Sequence, residues 1–82
     1  MIKCLILKNG INLIAEIIEK EEVEVGEPDW RLVNPFEIVE DEQLRRWPSF
    51  TDQRSLMIES DNVLTAVDPS ETIKNQYKGV IS

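Results

Sequence analysis

Histidine is absent from the chain and cysteine occurs once, at Cys4. The first absence removes Ser-His, Cys-His and His-metal arrangements together, and zinc would have to be held by carboxylates alone, so no metal site is expected. A lone cysteine cannot build an internal disulfide framework and suits a reducing compartment. Within an apolar strand it reads as a buried residue rather than a nucleophile. The three glycines form no Gly-rich phosphate loop. No acid, base and nucleophile set can be assembled, so neither enzymatic activity nor a cofactor is expected. A membrane-spanning run of about eighteen apolar residues is also missing. The opening Met1-Ile2-Lys3-Cys4 lacks the charged-then-apolar pattern of a signal peptide, and the expectation is a cytoplasmic protein with no membrane partner. Basic residues are scarce too. Nine stand against sixteen acidic ones, for a formal charge of −7, the reverse of the usual nucleic-acid footprint.

What is present is a sequence of 82 residues in which 41% hydrophobic and 30% charged content suits a folded chain rather than a disordered tail. The length allows one domain, 1–82, with a thin core and oligomerisation as its natural support. Its most informative stretch is 56–67, where Leu56-Met57-Ile58 and Val63-Leu64-Thr65-Ala66-Val67 flank a polar Glu-Ser-Asp-Asn corner. The pattern predicts a tight β-hairpin. Val63, Leu64, Ala66 and Val67 are apolar on both faces, so this strand either lies between layers or is completed by a partner chain.

The remaining elements follow from punctuation. Ile2 to Leu7 reads as a strand, and Lys8-Asn9-Gly10 as its hairpin turn. Ile11 to Glu19 contains helix formers, yet the Asn-Gly lead-in and the recurring isoleucines favour a return strand. Gly26 to Asp29 is a loop, and Trp30 to Val39 a third strand with an edge or bulge at Pro35, which has no N–H to donate. Residues 40–43 form a charged connection. Residues 44–54 form a loop or a strand extension broken at Pro48. Asp68-Pro69-Ser70-Glu71 starts a helix over about 69–78, with Asp68 as N-cap, Ile73 and Tyr77 on one face, and Gly79 as the stop. So short a helix must pack on the sheet through Ile73, Tyr77 and Val80 or Ile81.

Three segments carry a family resemblance. Leu7-Lys8-Asn9-Gly10 with Ile14-Ala15-Glu16 resembles the first half of the Sm motif. Leu32-Val33-Asn34-Pro35-Phe36-Glu37-Ile38 is similar to that family's third strand, and Ile58-Glu59-Ser60-Asp61-Asn62-Val63 to its second motif. The chain thus resembles small Sm-like proteins of phage or bacterial type over Ile2 to Val67. The resemblance implies a mostly β fold, a strongly bent, five-stranded antiparallel barrel of SH3-like type over about 2–67, here with a short C-terminal helix. It also implies a homo-oligomeric ring of about five to eight copies closed by pairing between the last two strands of neighbours. Leu56, Met57, Ile58, Val63, Leu64 and Ala66 would then lie in or beside the subunit interface, and RNA would be the inherited partner class.

The departures bear on that partner. Glu59-Ser60 stands where the family has Arg-Gly, so a carboxylate replaces the guanidinium that meets phosphate or base. Asn62 keeps its matching position. Five to seven copies would together carry roughly −35 to −49, which opposes sequence-independent RNA binding. The one basic cluster, Arg45-Arg46-Trp47-Pro48-Ser49-Phe50, either stacks bases through its guanidinium and ring faces or caps the barrel with Trp47 and Phe50 while its arginines neutralise Glu40 to Glu42. Arg45, Arg46, Trp47 and Asn62 are the RNA-contact candidates. The acidic runs, Glu19 to Glu24 and Glu40 to Glu42, lack the spacing of a Ca²⁺ loop and read as solvated faces. Two functions remain open: an Sm-like, RNA-associated binding ring, or a structural ring that binds proteins and no nucleic acid.

Overall fold

The computed structural model describes residues 1–20, 24 and 28–82. These residues form a mostly β fold of six antiparallel strands with one C-terminal helix. The strands are β1 (Ile2–Leu7), β2 (Asn12–Glu19), β3 (Trp30–Val39), β4 (Gln43–Arg46), β5 (Ser55–Ile58) and β6 (Val63–Val67); the helix is α1 (Glu71–Ile81). Single 3₁₀ turns occupy Glu40–Glu42 and Ser60–Asn62. The strand order is β4-β3-β2-β1-β6, with β5 on β3.

The first corner forms because Gly10 takes a φ of 90°, a left-handed value that Gly adopts without a Cβ penalty. Its amide donates to the Leu7 carbonyl at 3.0 Å, and the Ile11 amide donates to Asn9 Oδ1 at 3.0 Å. This returns β2 along β1 with Leu13 opposite Leu5.

β2 is buried on both faces. Leu13 and Ala15 join Leu5, Leu7 and Leu32 in one core cluster, while Ile14 joins Phe36, Ile73 and Tyr77 in a second. The period of two explains the split, since successive side chains leave opposite faces of the sheet. α1 covers the second face, and Ile2, Cys4, Ile38 and Leu44 pack around it. Each such buried apolar side chain contributes on the order of 1.5–3 kcal/mol, enough to hold a helix that would be marginal alone in water.

β3 changes partner midway. Trp30–Val33 pairs with β5, and Phe36–Val39 pairs with β4. At the change Asn34 has a φ of 51°, and the register against β2 slips so that Asn34 and Pro35 together face Ala15. Pro35 falls at an irregularity, where its missing N–H costs the ladder nothing. The Tyr77 hydroxyl reaches this kink, 2.9 Å from the Asn34 carbonyl and 3.1 Å from that of Val33. The Tyr77 ring also meets Phe36 edge-on, centroids 6.0 Å apart.

Several expectations need correction. Residues 56–67 are not a hairpin: β5 pairs with β3, β6 pairs with β1, and the 3₁₀ turn over Ser60–Asn62 redirects the chain between them. There are six strands among the described residues, not five, because 43–46 forms a strand of its own before the chain leaves β3 and returns to it at Ser55. The helix N-cap is Ser70, whose Oγ accepts from the Ile73 amide at 3.2 Å. Asp68 is two residues early and its carboxylate is held by Lys3 Nζ at 2.6 Å. The helix runs through Gly79 to Ile81, although Gly in a helix costs about 1 kcal/mol relative to Ala. Neither Val80 nor Ile81 is buried; they are 50% and 38% exposed. Glu21 and Glu22 of the first acidic run, and Gly26 and Glu27 of the loop before β3, lie outside the described residues.

No helix among the described residues is long and apolar enough to cross a membrane. The same residues hold no group of three or more Cys, Asp or Glu side chains placed to bind a metal ion.

Candidate functional site

Two features stand out: the open edges of the sheet and a pocket where its turns meet. Among the described residues β6 pairs only with β1, and β5 and β4 pair only with β3, so all three present unpaired backbone groups. Such edges attract further strands unless charge, proline or a bulge blunts them. β4 carries Arg45 and Arg46. β5, Ser-Leu-Met-Ile, and β6, Val-Leu-Thr-Ala-Val, contain no charge and no proline.

The side chains on these two strands divide. Leu56, Ile58 and Val63 pack inward on the cluster formed by Leu5, Leu7, Leu13, Ala15 and Leu32. Met57, Leu64 and Ala66 are exposed, Leu64 to 67%. Leu64 is the extra residue of a bulge, since Ile6 faces Thr65 while Leu7 faces Val63. Inward residues therefore fix where β5 and β6 lie, and outward ones leave their edges greasy.

The pocket, about 600 Å³, is lined by Leu7, Lys8, Asn9, Trp47, Ile58 and Asn62. Three segments distant in sequence build it. The Lys8 amide donates to the Asn62 carbonyl at 2.9 Å, tying the β1–β2 turn to the 3₁₀ turn. The Trp47 amide donates to the Pro35 carbonyl at 3.2 Å and anchors the indole at the end of β4. The 3₁₀ turn is braced from behind, because the Asp29 carboxylate accepts from both the Ser60 amide, at 2.7 Å, and the Ser60 hydroxyl. Those two bonds, the hydroxyl's first, hold the Asp29 carboxyl below its ordinary pKa.

Of the four RNA-contact candidates, Asn62 and Trp47 meet in this pocket. Arg45 does not line it; its guanidinium Nη2 is 2.7 Å from Glu37 Oε1, its cross-strand neighbour. Arg46 lies on the opposite face of β4 from Arg45, the face on which Leu44 packs under the helix. Lys8 and Asn9 also line the pocket, although neither is among the sequence-based candidates. The signal was the pairing of the first strand with the last, which brings the Asn-Gly turn beside the Ser-Asp-Asn turn. That pairing was hidden by reading 56–67 as a self-contained hairpin.

Compared with known families, residues 1–82 match the model of a family of unknown function, DUF6561. No curated protein matches the chain.

Proposed function

Since the chain belongs to this family of unknown function, its role has to be read from its own residues, and we propose that it is a self-assembling scaffold module of Sm type. In this reading the bent sheet is a small SH3-like barrel, and copies join edge to edge, β5 of one beside β6 of the next. The carrying observation is that two free edges lack charge and proline while the third bears two arginines. A contact between two different edges is heterologous, and repeating it closes a ring where the rotation per copy divides a full turn. Met57 and Leu64 sit at that contact, flanked by Ala66, while Leu56, Ile58 and Val63 hold the strands in position from within.

The arrangement favours a ring that binds proteins over one that threads RNA. Arg45 is engaged by Glu37, Glu59 stands exposed in the turn, and the formal charge is −7 per copy. Phosphate would meet repulsion that only a dense local array of cations offsets.

Native mass spectrometry of gently purified protein tests both parts. The expected spectrum is one closed oligomer without nucleic acid, shifted toward monomer by Met57→Glu or Leu64→Glu. A monomeric wild type, or an oligomer indifferent to both substitutions, overturns the assembly. Retained RNA that disappears in Asn62→Ala or Trp47→Ala would return the function to RNA binding.

A further inference from the structure

The pocket between the turns has a lining unlike that of two clefts elsewhere on the surface. One cleft of about 820 Å³ has Glu16, Asp68 and Glu71 on its walls, and another of about 350 Å³ has Glu19. Among the described residues, the 600 Å³ pocket has no acidic lining residue, and Lys8 is the one charged side chain that lines it. We infer that it binds a carboxylate carried on an apolar body, either a free aromatic or branched acid or the C-terminal residue of a polypeptide.

The lining divides into floor, wall and rim. Leu7, 5% exposed, and Ile58 make an apolar floor, and the half-buried Trp47 indole supplies a wall. Its volume lies within the range of small-ligand pockets, about 300–1,000 Å³. At the rim, Lys8 is exposed and has no ion pair among the described residues. Asn9 Oδ1 already accepts from the Ile11 amide, which leaves its NH₂ to donate outward. Asn62 uses its backbone N–H toward Glu59 and its carbonyl toward Lys8, so its side-chain amide also remains. An apolar floor ringed by an ammonium and two amides is complementary to a carboxylate on a hydrophobic group.

Charge selects the carboxylate over a phosphate. Glu59 precedes the turn that presents Asn62 and Asp61 lies within it, and both are exposed. One ammonium balances a single negative charge, whereas the second charge of a phosphate monoester would face these carboxylates with no further cation among the described lining residues.

The test is an NMR titration of the isotope-labelled full chain, following the Trp47 indole N–H and the side-chain amides of Asn9 and Asn62. The probes are N-acetylphenylalanine, phenylacetate, the neutral N-acetylphenylalanine amide and uridine monophosphate. Both acids should give saturable shifts at these three groups. The neutral amide should bind roughly tenfold more weakly, the size expected for one charge-assisted contact, and Lys8→Glu should abolish the response. A preference for N-acetylphenylalanine identifies a polypeptide terminus as the source, and a preference for phenylacetate a free acid. An amide that binds as well as its acid, uridine monophosphate binding more tightly than either acid, or no saturable shift up to about 10 mM acid overturns the inference.

Discussion

The latch between helix and sheet can be tested with one oxygen atom. Tyr77 is fully buried, and its hydroxyl is the side-chain group of α1 that reaches the kink in β3, between the Val33 and Asn34 carbonyls. Tyr77→Phe keeps the ring and its edge-on contact with Phe36 but leaves both carbonyls, at a point where the ladder slips, without that donor. Leaving a buried polar group unsatisfied costs about 1–3 kcal/mol. For a chain of this length each kcal/mol lowers Tm by about 4–8 °C, so a fall of roughly 4–24 °C is expected. Tyr77→Ala removes the ring as well and should cost about 3–5 kcal/mol. A total stability of roughly 4–12 kcal/mol follows from typical per-residue values, so the Ala variant should lose its helix before its sheet. Thermal melts followed by circular dichroism give the first number. Amide exchange resolves the second effect, with α1 amides losing protection ahead of β1 and β2. A Phe variant with wild-type Tm, or α1 amides that exchange no faster in Tyr77→Ala, would refute the latch.

Three other outcomes rest on equally local contacts. Cys4 is half-buried on the helix-covered face and burial pushes its thiol pKa up, so it should react with a disulfide reagent more slowly in the native protein than in urea. Tyr77→Ala should speed the native reaction, and equal rates in wild type and variant would remove the helix as its shield. The Asp29 carboxyl is held below its ordinary value by Ser60, so the tie stabilises the fold above the unfolded carboxylate pKa of about 4 and is lost as pH falls through the lowered native value. Ser60→Ala should return the Asp29 carboxyl ¹³C titration toward the ordinary range; an unmoved midpoint would mean another group sets it. At Gly10 an added Cβ meets nothing within 4 Å, so the cost of Gly10→Ala comes from its φ of 90° alone. A loss of about 1 kcal/mol is expected by urea denaturation, with a smaller one for Gly10→Asn, and equal losses would contradict a purely conformational origin.

Local chemistry made some elements legible and left others hidden. The Asn9-Gly10 turn, the break at Pro35 and the return strand after Ile11 could all be read, because each depends on backbone preferences of a few adjacent residues. The helix start was ambiguous for a physical reason. Asp68 and Ser70 are both competent caps, and the choice is made by Lys3, remote in sequence, which takes the Asp68 carboxylate and leaves Ser70 to cap Ile73. The 56–67 stretch suggests a hairpin because a 3₁₀ turn and a tight hairpin share the same polar residues, and only the pairing of β6 with β1 distinguishes them. The pocket depended on that pairing and was hidden with it.

Which strand carries two buried faces decides where a partner has to be sought. The apolar surplus in 56–67 first pointed to a strand between layers or completed by another chain. It is β2, with Leu13 and Ala15 on one side and Ile14 on the other, that lies between layers, as β3 does through Leu32 and Phe36, and these strands satisfy both faces within one chain. What is left on β5 and β6 is therefore not missing core but exposed edge. Met57, 37% exposed, and Leu64, 67% exposed, lie on strands whose outer hydrogen-bonding groups have no partner among the described residues. A missing core would be filled by any apolar surface. An open edge can be extended only by another extended strand in register, and among the described residues the charges on the open edges, Arg45 and Arg46, lie on β4 and not on β5 or β6.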